Sequence, residues 1–173
     1  MNPPHGLREP SARHDWITPS HQPWVQSMDG GVRVSVPWDW SRRTVGEHCL
    51  LVSPADGGVS VGMVPGGVGQ TFHAVMKRLV GSLTKARVLH RSLLDDAPLE
   101  GFVVEGMGVE GDTTVEWFVA QVGDASCGAV LYGIGPRSLY DAHVTAMRAI
   151  VHSVRPVHSG AFPRAEGVYP PAR

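Results

Sequence analysis

The residues best placed for chemistry form a glycine-rich turn. Val64, Pro65, Gly66, Gly67, Val68, Gly69, Gln70 and Thr71 stand between an expected strand and an expected helix. This is close to a phosphate-binding loop, in which backbone N–H groups curl around an anion and a lysine meets the β and γ phosphates. Here Gln70 stands where the lysine is required, and Val64 where the first glycine is required. What remains is Gly66, Gly67, Gly69 and Thr71 as an alternative anion-binding turn at a helix N-terminus, a use that needs no lysine. The competing reading is a plain turn whose glycines serve backbone conformation. A nucleoside triphosphatase would also need an acidic magnesium ligand on a second parallel strand, whereas the strand order derived below is antiparallel.

Other reactive side chains do not converge. His48 and Cys49 are neighbours on an expected strand, so they point to opposite faces and cannot share a metal ion. His143 and His152 fall about 180° apart on one expected helix. Neither Ser126 nor Ser153 sits in the glycine-flanked elbow of a serine hydrolase. Glu105 and Glu116 lie in apolar strands that are candidate neighbours, where paired carboxylates could act as acid and base; the simpler reading puts both at a solvent-facing rim. No catalytic constellation, metal set or cofactor motif emerges, so the expectation is a non-enzyme without a cofactor.

The chain has 173 residues, enough for one self-sufficient core. Apolar residues make up 42% and charged residues 18%, and the net charge of −1 provides no long-range field for nucleic acid or an anionic membrane. No stretch approaches the roughly 18 to 20 apolar residues that span a bilayer. The first residues carry prolines, histidines and charges where a signal peptide would have an apolar core, so a cytoplasmic protein is expected. Cys49 and Cys127 are expected to be reduced thiols.

Residues 1–30 hold five prolines, three histidines and two tryptophans without a period. They read as an irregular arm that could dock through Trp16 and Trp24. Residues 157–173 read as an irregular tail, and 31–156 as a single α+β domain. Within it, Val32, Val34 and Val36 alternate as a first strand that stops at Pro37, Trp38, Asp39 and Trp40. Strands over about 48 to 53 and 58 to 64 are joined by the hairpin signal Asp56, Gly57, Gly58. Phe72, Val75, Met76, Leu79, Val80 and Leu83 trace one apolar stripe of a helix, for which Thr71 is the candidate cap. Four further strands follow, over about 86 to 94, 101 to 108, 113 to 122 and 127 to 134, with turns short enough for an antiparallel meander. A last helix opens at Ser138, with Asp141 as its capping partner, and ends near Arg155 and Pro156. The fold class expected is an antiparallel sheet of about six or seven strands flanked by two main helices.

That inventory has a geometric consequence. Seven strands make a sheet ~30 Å wide, whereas a helix with its side chains is ~10 Å across, so two helices leave sheet surface uncovered. Spare apolar surface of this kind marks an interaction site. The strand from Thr113 to Val122 is apolar on both faces. Val115, Trp117 and Val119, with Met107 and Ala129, are the candidate partner-binding face. The competing reading makes Trp117 and Phe118 core residues, with the 30-residue arm or loops covering the sheet. Trp38 and Trp40, two apart at a strand end, are expected to divide between surface and core.

The element order, with Val36, Pro37 and Trp38 opening the domain and Ile150, Ser153, Val154 and Arg155 closing its last helix, resembles the PsbP-like fold family. That family includes the extrinsic P subunit of photosystem II, Mog-type Ran-binding proteins and bacterial DcrB-related proteins. The resemblance covers about 32 to 156 and implies a sheet flanked by helices, used for binding rather than catalysis. Some DcrB-related proteins are cytoplasmic adaptors of type VI secretion that cradle hydrophobic segments of an effector on a sheet face, often as dimers. The resemblance therefore implies a protein-binding adaptor or chaperone whose partner is another protein or a hydrophobic segment of a secreted effector, with a homodimer as a further expectation. The long arm and the tail depart from a minimal adaptor domain. Two other readings stand beside it: a protein or enzyme for a phosphate-bearing ligand at Gly66 to Gly69, and a structural subunit that self-associates.

Overall fold

The computed structural model describes residues 24–28 (backbone course only), 31–46, 48–53, 59–65, 69–124 and 127–157. In chain order the elements are β1 (Trp24–Met28), β2 (Val32–Val36), β3 (Ser41–Val45), β4 (His48–Val52), β5 (Ser60–Pro65), α1 (Gln70–Gly81), β6 (Thr84–Leu93), β7 (Gly101–Glu110), β8 (Thr113–Gly123), β9 (Gly128–Pro136), α2 (Arg137–His152) and β10 (Arg155–Pro156). Seven strands form one antiparallel sheet in the order β3-β4-β5-β9-β8-β7-β6, and β1-β2-β10 form a second, smaller one. The expected antiparallel α+β class, with two main helices, is the observed one.

The seven strands are not the expected seven. The valine-rich 32–36 segment leaves the main sheet and pairs with β1, inside the segment read as an irregular arm. Its place is taken by β3, whose residues Ser-Arg-Arg-Thr-Val are all exposed and so carry no buried alternation to announce a strand. The meander β6 to β9 forms as expected. Its β7–β8 hairpin turns on Gly111 and Asp112, with Gly111 at φ 59°, the left-handed conformation a II′ hairpin requires at its first central residue.

Two helix caps differ from expectation. Gly69, at φ 85°, is the N-cap of α1, so Thr71 lies inside the helix and caps nothing. Pro136 precedes α2, and no side chain caps it, so Ser138 and Asp141 do not form a capping box. Pro136 presets the entry φ at the strand-to-helix junction, and the helix begins two residues earlier than a cap at Ser138 would place it. The far end is better tied. The Ser153 hydroxyl accepts from Ser35 N–H at 2.8 Å and donates to the Ile150 carbonyl at 2.7 Å, which binds the end of α2 to β2.

Each face of the main sheet carries its own core. On one side Phe118, Ala120, Val122 and Leu131 meet Met147 and Ile150 of α2, together with Val32, Val34 and Val36 of the small sheet. On the other side Val115, Trp117, Val119 and Val130 meet Phe72, Val75 and Leu79 of α1. Trp40 joins the first core at 5% exposure while Trp38 stands 52% exposed, which is the division expected of that pair.

Three glycines make room for aromatic rings of the next strand. Gly62 is paired with Tyr132, Gly106 with Trp117 and Gly133 with Phe118; at each position a β-carbon would overlap the ring. The rings thus lie flat over neighbouring backbone, the arrangement that rescues a glycine in a sheet. Gly106→Ala and Gly133→Ala are each expected to lower unfolding free energy by about 1–3 kcal/mol through overpacking. Gly81→Ala, in open space at the end of α1, should leave stability unchanged or raise it by up to about 1 kcal/mol. Urea unfolding of the three variants checks the contrast.

Candidate functional site

The uncovered sheet surface lies elsewhere than expected. Trp117 and Val119 are 0% exposed and Val115 is 2% exposed, all beneath α1. Ala129 is buried on the opposite face, against the α2 core. Met107 is half-buried, and its sulfur lies 3.0 Å from Arg87 Nη2. The five candidate partner residues therefore form no common surface. Three of them are core because α1 packs over β8 and β9, the centre of the sheet and its most apolar strands.

The position of α1 has local causes. At its start, Gly69 N–H donates to Gln121 Oε1 on β8 at 3.3 Å. At its end, Leu83 packs on Gly108 of β7, where a side chain would crowd it. Both tethers draw the helix toward the β7–β8 half. On the opposite face the small sheet adds Val32, Val34 and Val36 to the core that α2 covers. No such layer lies over β3 to β5 on the α1 face among the described residues, and a cleft of about 620 Å³ opens there.

Its walls are apolar. Leu50 of β4 and Ile134 of β9, both half-buried, face Val75 and Leu79 of α1, with Val45 at the rim 58% exposed. A few polar groups converge on it: Arg78 and Ser82 from the end of α1, Glu110 from β7, and His48 with Tyr132. His48 Nδ1 and the Tyr132 hydroxyl are hydrogen-bonded at 2.8 Å, with their rings edge to face. That bond depends on Gly62, since the Tyr132 ring crosses over it to reach β4. Burial pushes the Tyr132 phenol upward, and the Arg78 guanidinium partly offsets this, so the hydroxyl stays neutral at ordinary pH. An apolar hollow of this size with a few placed polar groups has the make-up of a binding site.

The glycine-rich turn is satisfied internally where it is described. Gly66 and Gly67 lie outside the described residues. Gly69 spends its N–H on Gln121, and its carbonyl accepts from His73 N–H at 3.0 Å and from His73 Nδ1 at 2.6 Å. Glu105 and Glu116 do share a face, as the strand order anticipated, but each meets an arginine of α2. Arg148 reaches Glu105 at 3.2 Å and Arg137 reaches Glu116 at 3.3 Å. They hold α2 to the sheet and are occupied as carboxylates. Cys49 and Cys127 are free thiols. Burial pushes the Cys49 thiol up, against a smaller opposing effect of Arg42. Among the described residues no group of three or more metal-ligating side chains occurs, and no helix is long and apolar enough to cross a membrane.

Beside those ion pairs lies Tyr140, buried on the sheet-facing side of α2. Burial above all, then the charges of Glu105, Glu116 and Asp141, push its phenol well above the usual range, while Arg148 acts the other way. An unfolded tyrosine ionises near pH ~10. The contribution of Tyr140 to stability is therefore whole below that pH and is lost as pH rises through the higher folded value. Tyr140→Phe is expected to flatten the alkaline limb of a stability–pH curve measured by denaturant unfolding between pH ~9 and ~12. An unchanged slope would show that another group governs that limb.

No protein-family profile matches the sequence, and no curated protein is similar to it in sequence. Solved structures are similar in fold. The solution structure of cyanobacterial PsbP (CyanoP) from Synechocystis sp. PCC 6803 superposes with a TM-score of 0.57 at 10% identity, over 79% of this chain and 93% of that one. A protein from Bacteroides thetaiotaomicron VPI-5482 superposes with a TM-score of 0.55 at 12% identity, over 80% of this chain and 49% of that one. At these identities the likeness is one of architecture, and the architecture is the PsbP-like one.

Proposed function

We propose that the protein is a non-catalytic binding protein, an adaptor that seats an apolar segment of another protein in the cleft between α1 and strands β3 to β5. The observation that carries this reading is the uncovered half of the α1 face: Val45, Leu50 and Ile134 present apolar surface to an open hollow of about 620 Å³. Apolar surface left open in this way has a free-energy gain waiting on a partner, about 25 cal/mol for each Å² removed from water. In its finer form the adaptor is cytoplasmic and the cargo is a hydrophobic segment of a secreted effector. What supports that form is the PsbP-like architecture together with spare sheet surface.

A photo-crosslinking residue placed at Val45 in living cells is expected to give a discrete adduct whose crosslinked peptide is rich in apolar residues. The same residue placed at His152, on the far side of α2, should give none. Leu50→Asp should abolish the adduct with little change in melting, because Leu50 is only half-buried; Trp117→Asp should unfold the protein instead. An adduct between two copies of this chain would replace the adaptor with a self-associating subunit. A small-molecule adduct would replace it with a ligand carrier.

A further inference from the structure

The rim of the cleft is also an edge of the sheet. β3 is a terminal strand of the seven, so one row of its backbone N–H and C=O groups has no partner strand among the described residues. The two ends of the sheet differ in their fitness to accept another strand. β6, at the far end, is interrupted twice, between Thr84 and Arg87 and between Val88 and His90, and Lys85 sits at φ 52°. Bulges and backbone irregularities of this kind are one way in which natural edges refuse a partner. β3 has none of these interruptions. Its five residues pair with β4 in unbroken register, and all five are exposed.

We infer that β3 is a docking edge, on which an acidic, extended segment of a partner protein adds as an eighth strand and lays an apolar side chain over the cleft. This inference rests on the cleft reading above and names the partner's chemistry. Arg42 and Arg43 are consecutive, so they project from opposite faces of the strand. Arg43 is opposite Leu50 and Val45 opposite His48, and both of those β4 residues line the cleft. Arg42 lies on the other face, beside the Cys49 thiol. Arg43 and, across the cleft, Arg78 make no ion pair with a carboxylate of the described residues. A complementary strand therefore carries two adjacent acidic residues, one for each arginine, and an apolar residue two positions from the acid opposite Arg43, above Val45. Backbone pairing supplies affinity at such an edge, and side chains alternating between the faces supply selectivity.

The probe is a fluorescein-labelled synthetic peptide of about eight residues, a usual strand length, with an adjacent glutamate pair and valines and leucines at alternate positions. It is titrated by fluorescence anisotropy onto the full chain, and amide hydrogen exchange of β3 is followed by NMR. The expected result is saturable binding with slowed exchange at β3 amides. Replacing the glutamates by lysine, N-methylating alternate peptide amides, or introducing Arg42→Glu with Arg43→Glu should each weaken binding about tenfold or more. Both arginines are exposed, so the double variant should melt like the parent. Equal binding of the lysine peptide, unslowed β3 amides, or no binding at all would overturn strand addition. Unslowed β3 amides with binding that Val45→Asp abolishes would leave the cleft standing without the edge. Loss of the Val45 crosslink as well would remove both.

Discussion

A seven-stranded sheet is wider than two helices can cover, and most of this molecule's design answers that mismatch. The two faces answer it differently. On one, α2 shares the work with the small sheet β1-β2-β10, which adds three fully buried valines to the same core. On the other, α1 is alone among the described residues, and its two tethers hold it over β8 and β9. The cleft is what remains when a single ~10 Å helix is fixed on a ~30 Å sheet. Its location follows from the tether at Gln121 and the seat at Gly108 rather than from anything in the residues that line it.

Glycines opposite aromatic rings give the sheet its second organising feature. Trp117 over Gly106 and Phe118 over Gly133 bring the two faces of β8 into contact with neighbouring strands as well as with the helices above them. Tyr132 over Gly62 does something different, because its ring ends at a hydroxyl that meets His48 on the cleft floor. The same packing device thus closes the core in two places and carries a polar group into the candidate site in the third. Glycine in a strand interior ordinarily weakens it; here each one is filled by the ring opposite.

Much of this was legible in the residues. The apolar stripe from Phe72 to Leu83, the meander with its short turns and the last helix through Tyr140 and Ile150 all follow from periodicity, which is set by burial and survives in the chain. The width argument correctly anticipated uncovered sheet. The address was illegible for three reasons. β3 is fully exposed and has no alternation to read. The valines of β2 alternate like any strand's and carry no mark of which sheet they join. The placement of α1 depends on contacts between Gly69 and Gln121, 52 residues apart, that no local pattern encodes. Trp117, the most conspicuous candidate, was conspicuous because it is core. The contributors to the cleft, Leu50, Val45 and Ile134, look like ordinary strand residues. The Ser138–Asp141 cap signal failed because Pro136 already sets the turn into the helix.

The joint at Ser153 has a consequence for how the molecule assembles. The Ser35–Ser153 bond links residues 118 apart in the chain, and the pairing of β10 with β2 spans almost the same distance. The β6 to β9 meander closes through hairpins only a few residues long. Because the entropy lost in closing a loop grows with its length, long-range pairings of this kind come late in folding. The β1–β2 hairpin is local, so it is the joint of the small sheet to the end of α2 that acts as a clasp and is expected to close after the meander. Its release would bare Val32, Val34 and Val36 and open the core on the α2 side. Among the described residues one face is thus left partly open by geometry, while the other depends for its closure on a joint between distant parts of the chain.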